Sequence, residues 1–203
     1  GFTGGCGHEK HFDGPVWPQQ GVIGVTINYR LGPMGFVCLP ELKEEAGYTG
    51  NYGLYDQMTA MQWVRKNIAA FGGDPDNMTI MGQSAGAASV QLQSVSPMTD
   101  GLFSKAIMSS GCGLGGMLAS TEEKSCQFWT EVMARCGCET LEQFRKLPPD
   151  QLFAAWQTAK KEIKGGSGAA FPVKDGRFSV ENAVPKDIPY MAGSTSEDMA
   201  PPI

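Results

Sequence analysis

The sequence predicts an α/β fold, a mostly parallel central sheet flanked by helices. Two observations carry that reading. Short apolar runs alternate along the chain with helical stretches, the order of β-α-β units. The first run, residues 21–30 (GVIGVTINYR), is apolar and β-branched almost throughout. A strand covered on both faces, as in a parallel sheet, has that pattern.

The elements follow in order. Residues 21–30 read as a strand that Leu31, Gly32 and Pro33 end. Residues 54–71 read as an amphipathic helix, because Leu54, Met58, Met61, Val64 and Ile68 fall on one stripe. Asp56 is expected in its first turn, where the helix dipole favours an anion, and Gly72 and Gly73 close it. Residues 78–82 give a strand and 85–95 a helix that opens with small residues. Residues 105–109 give the next strand. Residues 121–135 and 140–159 are helical, with Pro148 and Pro149 splitting the second stretch. Residues 188–193 give a last strand. The whole chain, 1–203, is expected to belong to a single domain, with a helical excursion at about 121–164 between two strands.

Composition excludes several function classes. The formal net charge is −5, from 16 Lys+Arg against 21 Asp+Glu, which opposes a nucleic-acid partner that needs a basic face. No apolar stretch is long enough to span a bilayer, and no secretory leader pattern opens the chain. The six cysteines (Cys6, Cys38, Cys112, Cys126, Cys136, Cys138) match neither a zinc site nor a CxxC redox motif. They are read as free, small apolar residues, with pairing of Cys126 to Cys136 or Cys138 as the lesser alternative. The pattern favours a bacterial cytoplasmic protein.

The chemistry concentrates in Gly82-Gln83-Ser84-Ala85-Gly86. A strand precedes this G-x-S-x-G and a helix follows it, the context in which the motif forms a nucleophile elbow. A sharp turn there strains the serine backbone. Glycines at 82 and 86 let strand and helix pass closely. The helix aims its positive end at the serine, and the Ala85 N–H becomes a candidate oxyanion donor. The plain alternative is a glycine-serine turn without chemistry.

Residues 71–86 (FGGDPDNMTIMGQSAG) resemble the signature of the type-B carboxylesterases, the α/β-hydrolase family that includes the cholinesterases. The resemblance extends through most of the chain. Residues 28–32 (NYRLG), 50–57 (GNYGLYDQ), 103–111 (FSKAIMSSG) and 171–176 (FPVKDG) are each similar to family segments, and the excursion is weakly matched. The resemblance implies an α/β-hydrolase fold, incomplete at both ends. It implies a carboxylic-ester hydrolase acting through a serine acyl-enzyme, with a small-molecule carboxylic ester as partner and neither cofactor nor metal. It also implies the site. Ser84 is the nucleophile. Asp198, in the turn 193–198, matches the family acid, with Glu197 as the alternative. Gly1, at the head of GFTGG, matches one donor glycine of the oxyanion loop, and Ala85 supplies another donor. Gln83 stands where the cholinesterases carry Glu, which removes a charge beside the nucleophile and opposes a preference for cationic esters. Ser110 matches a serine behind the acid. Phe2, Cys112, Leu114 and Met117 are candidates to line an acyl pocket, or else ordinary core. Arg30, Asp56 and Asp74 read as structural.

The family order is Ser, then acid, then His. His8 and His11 precede Ser84 and match no motif position, so the triad histidine is expected beyond residue 203. Without it the segment alone is expected to be nearly inactive, since triad removal leaves about 10³–10⁴-fold over water. The alternatives are a non-catalytic cholinesterase-like binding or adhesion protein, or an inactive fragment.

Overall fold

Local sequence sets where each helix begins and ends. In the computed structural model, which describes residues 1–12, 14, 16–111, 120–164, 170–179, 183–196 and 198, and His11 only in its backbone, the helices are α1 (Val16–Gln19), α2 (Gly32–Phe36), α3 (Pro40–Ala46), α4 (Tyr52–Asn67), α5 (Ala85–Val95), α6 (Glu122–Arg135), α7 (Leu141–Arg145) and α8 (Pro149–Glu162). Proline at the first or second helical position starts α2, α3 and α8, where the missing N–H costs nothing. The Thr121 hydroxyl accepts from the Lys124 N–H to cap α6, and Thr140 with Gln143 forms a capping box on α7. Beyond α4 a 3₁₀ turn, Ile68–Phe71, ends at Gly72 with φ 83°, the left-handed stop expected of glycine.

The strands are β1 (Thr79–Gln83), β2 (Lys105–Ser109), β3 (Ser120–Thr121), β4 (Val173–Lys174) and β5 (Tyr190–Gly193). Among the described residues, β1, β2 and β5 form one parallel sheet in the order β1-β2-β5. Its register aligns Gln83 with Ser109 and Ser109 with Gly193, so all three strands end at one edge. The α5 face is packed: Ala106 and Met108 are buried with Ala87, Val90, Phe103 and Met61. On the opposite face, Met81, Ile107 and Met191 form one row across the sheet.

The predicted strand at 21–30 is a correction. Residues 22–30 carry no strand. A strand exists only through a ladder partner, and this segment faces β1 across a cavity of about 600 Å³ that Val22, Ile27, Tyr29, Met61, Ile80 and Gln93 help to line. Its polar groups find other partners. The Asn28 Oδ1 accepts from the Gly7 N–H at 2.7 Å, and the Arg30 N–H donates to Asp56 Oδ2 at 2.9 Å. Asp56 is corrected too: α4 starts two residues before Leu54, which puts Asp56 beyond the first turn. It is held by Arg30, whose Nε and Nη2 donate to its two oxygens at 2.8 and 2.7 Å.

The helical stretch has a core of its own. Trp129, Val132, Trp156 and Phe144 are buried together with Cys38 and Leu39 from the segment before α3. The parallel pair β3–β4, Ser120 with Val173 and Thr121 with Lys174, joins its two ends. Asn51 reaches the same place. It is fully buried, in the left-handed region at φ 55°, and exchanges both amide hydrogen bonds with the Val173 backbone at 2.9 Å each. No helix among the described residues is long and apolar enough to cross a membrane.

Candidate active site

Ser84 sits between the end of β1 and the start of α5, where the backbone must reverse within one residue. Its φ of 55° and ψ of −120° lie in a region that side chains rarely occupy, a distortion of order 1–3 kcal/mol. The surroundings hold it there. The Ser84 N–H donates to the Ser109 carbonyl at 2.9 Å, and the Ser84 carbonyl accepts from the Ala88 N–H at 3.0 Å. The residue is exposed.

Two glycines make this turn sterically possible. A Cβ on Gly82 would lie 2.3 Å from the carbonyl carbon and oxygen of Gly86. A Cβ on Gly86 itself would meet nothing within 4 Å, so the close approach that the motif requires is carried by Gly82. The second glycine is Gly111, outside the motif: a Cβ there would lie 2.3 Å from the Ser84 carbonyl oxygen. Sequence reading singled out neither this contact nor the tie at Asn51. The available signal for Gly111 was its place just after β2, the strand beside β1.

The candidate acid lies along the same edge. Ser110, directly after β2, also has a positive φ, 52°, and its N–H donates to the Gly193 carbonyl at the end of β5 at 2.8 Å. From Gly193 the chain turns through Thr195 to Asp198, whose N–H donates to the Thr195 carbonyl at 3.2 Å. Asp198 is half-buried. Gln83 is exposed as the last residue of β1, opposite Ser109. Ser84, Ser110 and the turn bearing Asp198 thus follow three neighbouring parallel strands at their C-terminal ends, where ligands bind in open α/β sheets. Glu197 lies outside the described residues.

The chain start reaches the other side of the serine turn. Phe2 is buried against Phe36 and Ala88, and Ala85 packs on that cluster. The Phe2 ring meets Phe36 edge-on at 5.4 Å and Phe171 at 5.5 Å. Its carbonyl accepts from the Gly32 N–H at 2.8 Å. Phe2 is therefore core, one of the two readings open for it; Cys112, Leu114 and Met117 lie outside the described residues. Gly1 is exposed, and its carbonyl accepts from the Tyr29 hydroxyl at 3.1 Å. Ala85 is the first residue of α5, and first-turn amides of a helix have no carbonyl four residues back to donate to. His8 lies elsewhere in the hydrogen-bond network, with its Nδ1 3.2 Å from Asn28 Nδ2.

The model of the Carboxylesterase family matches residues 1–202. The chain is similar to the bile salt-activated lipase of Mus musculus, 40% identical over 203 residues, covering 92% of this chain and 33% of the lipase. It is 53% identical over 111 residues to the para-nitrobenzyl esterase of Bacillus subtilis (strain 168), covering 54% of this chain and 22% of that protein. A solved structure described as a PNB esterase superposes with a TM-score of 0.81 at 34% identity, covering 96% of this chain and 43% of that one. The chain thus spans less than half the length of each of these relatives. The fold is the α/β-hydrolase fold, here in part.

Proposed function

Because this chain belongs to the carboxylesterase family, we propose that it carries the nucleophile and acid of a serine ester hydrolase acting on a small-molecule carboxylic ester. The observation that supports this reading best is the exposed Ser84 at φ 55°, between a strand end and a helix start, beside the strand whose other neighbour leads to Asp198.

In the proposed reaction the Ser84 hydroxyl attacks the ester carbonyl. A histidine outside these 203 residues takes the proton and delivers it to the leaving alcohol. Asp198 orients that imidazole and stabilises its cationic form. The amides of Ala85 and of the glycine loop that includes Gly1 receive the developing oxyanion, and each such donor is worth about 2.7–4 kcal/mol. Water then attacks the acyl-enzyme and Ser84 regains its proton. Gln83 leaves the site without a fixed charge next to the nucleophile, which suits neutral esters. Ser110 stands behind the acid as a positioning residue.

An active-site-directed phosphonate tests the nucleophile on the full-length protein. Stoichiometric phosphonylation of Ser84, with loss of ester hydrolysis, is the expected result. A fully folded protein that resists the reagent, or is modified at another serine, overturns the assignment and favours a binding protein on the same fold.

A further inference from the structure

Cys38 and Cys126 are 88 positions apart, yet their sulfurs lie 3.0 Å from each other. Cys38 is fully buried between α2 and α3, and Cys126 lies on α6, half-buried. The two belong to one apolar cluster, the one that joins the helical stretch to the segment before α3. Sulfur–sulfur bonding requires a separation of about 2.05 Å and Cβ atoms about 3.5–4.5 Å apart, so closure asks for a movement of about 1 Å. Cys126 also borders a surface hollow of about 580 Å³ that Lys43, Glu122 and Gln127 help to line. Cys38 is wholly buried, so Cys126 is the member of the pair nearer to solvent.

We propose that Cys38 and Cys126 are a reactive thiol pair that closes to a disulfide on contact with a low-molecular-weight disulfide of the glutathione class, stapling α6 to the segment that enters α3. The electrostatics divide the roles. The hydrogen bond with Cys38 holds the Cys126 thiol below the ordinary cysteine range, and Lys43 adds to that effect. The same hydrogen bond, with burial, raises Cys38. Cys126 is the attacking thiolate and Cys38 the resolving thiol.

The Cys126 thiolate attacks one sulfur of the small disulfide through the hollow. The small S–S bond breaks, and one small thiol leaves after taking the proton that Cys126 gave up. Cys38 then attacks the Cys126 sulfur of the mixed disulfide, and its proton leaves with the second small thiol. Two protein thiols are oxidised by two electrons, and one small disulfide is reduced to two thiols.

The test uses the full-length protein, incubated with glutathione disulfide and then alkylated with iodoacetamide under denaturing, non-reducing conditions. Peptide mapping is expected to recover Cys38 linked to Cys126, with a mass two hydrogens below the two thiols, alkylated only after reduction. The melting temperature of the oxidised protein is expected to rise, because the crosslink closes a long loop in the unfolded chain, and dithiothreitol should reverse the rise. In Cys126→Ser the link and the shift both disappear. Alkylation of both residues after oxidation, a stable glutathione adduct on Cys126 with Cys38 still free, or linkage of Cys126 to Cys136 or Cys138 overturns the proposal. The mapping needs only the unsubstituted protein, so it decides between these outcomes even where a variant folds poorly.

Discussion

The Ser84 amide donates to the Ser109 carbonyl at 2.9 Å, which pins the strained turn after β1 to the end of β2. The next residue of β2's exit, Ser110, repeats the device one strand over by donating to Gly193 at 2.8 Å. The two bonds tie the ends of β1, β2 and β5 into one rigid edge. The proposed nucleophile, Ser84, and the proposed acid, Asp198, lie on either side of β2 along that edge, so its geometry sets their relation.

Crowding at this edge gives the first prediction. A methyl group at Gly111 would lie 2.3 Å from the Ser84 carbonyl oxygen, and its three nearest atoms are all Ser84 backbone, with no flexible side chain to yield. Gly111→Ala is expected to destabilise the protein by about 1–3 kcal/mol and to depress turnover by displacing the serine turn. Gly86→Ala, which meets nothing within 4 Å, serves as the mild comparison. Denaturant melts and ester hydrolysis, measured on both variants of the full-length protein, check the contrast.

The two candidate acids separate by substitution. In the full-length protein, Asp198→Asn is expected to lower kcat by about 10⁴-fold, the effect of an uncharged acid in a serine triad, with little change in melting temperature. Glu197→Gln is expected to stay within a few-fold of the parent. The reverse outcome, with Glu197→Gln inactive and Asp198→Asn active, would move the acid by one residue.

Arg30 and Asp56 give a pH-dependent prediction. Burial pushes the Asp56 carboxyl upward, but the Arg30 side-chain and backbone hydrogen bonds outweigh it and hold the group below its ordinary value. A carboxylate depressed by folding contributes stability above its unfolded value near 3.9, and that contribution is lost as pH falls through the lower folded value. The pair is partly exposed, with side-chain exposures of 52% and 26%, so the worth is about 1 kcal/mol after solvent screening. Asp56→Asn is expected to cost that much at pH 7 and progressively less below pH 4. Chemical denaturation of both proteins across that range would show the gap closing.

Asn51 supplies a prediction independent of the chemistry. Its Nδ2 donates to the Val173 carbonyl and to Asp175 Oδ2, both at 2.9 Å, and its Oδ1 accepts from the Val173 N–H at 2.9 Å. Asn51→Ala would leave the Val173 N–H and carbonyl without these partners and place alanine at φ 55°. The expected cost is about 2–4 kcal/mol. Asn51→Gly relieves the backbone but not the lost bonds, so its melting temperature should fall between those of Asn51→Ala and the parent.

Local order determined what was legible in the residues alone. The α5 boundaries, 85–95, and the β2 boundaries, 105–109, agree with the sequence reading, because small residues, apolar runs and turn glycines act within a few positions. So does the strand-turn-helix context of Ser84. The split of the helical stretch at Pro148 and Pro149 follows from proline's missing amide. Long-range pairing belonged to the tertiary structure. Residues 22–30 have strand composition but no ladder, because strand hydrogen bonds need a partner that composition does not specify. The approach of Gly111 to Ser84, the anchoring of Val173 by Asn51, and the meeting of Cys38 with Cys126 join positions far apart in the chain. Such contacts arise from packing distances that no local pattern encodes, and folding alone brings them together.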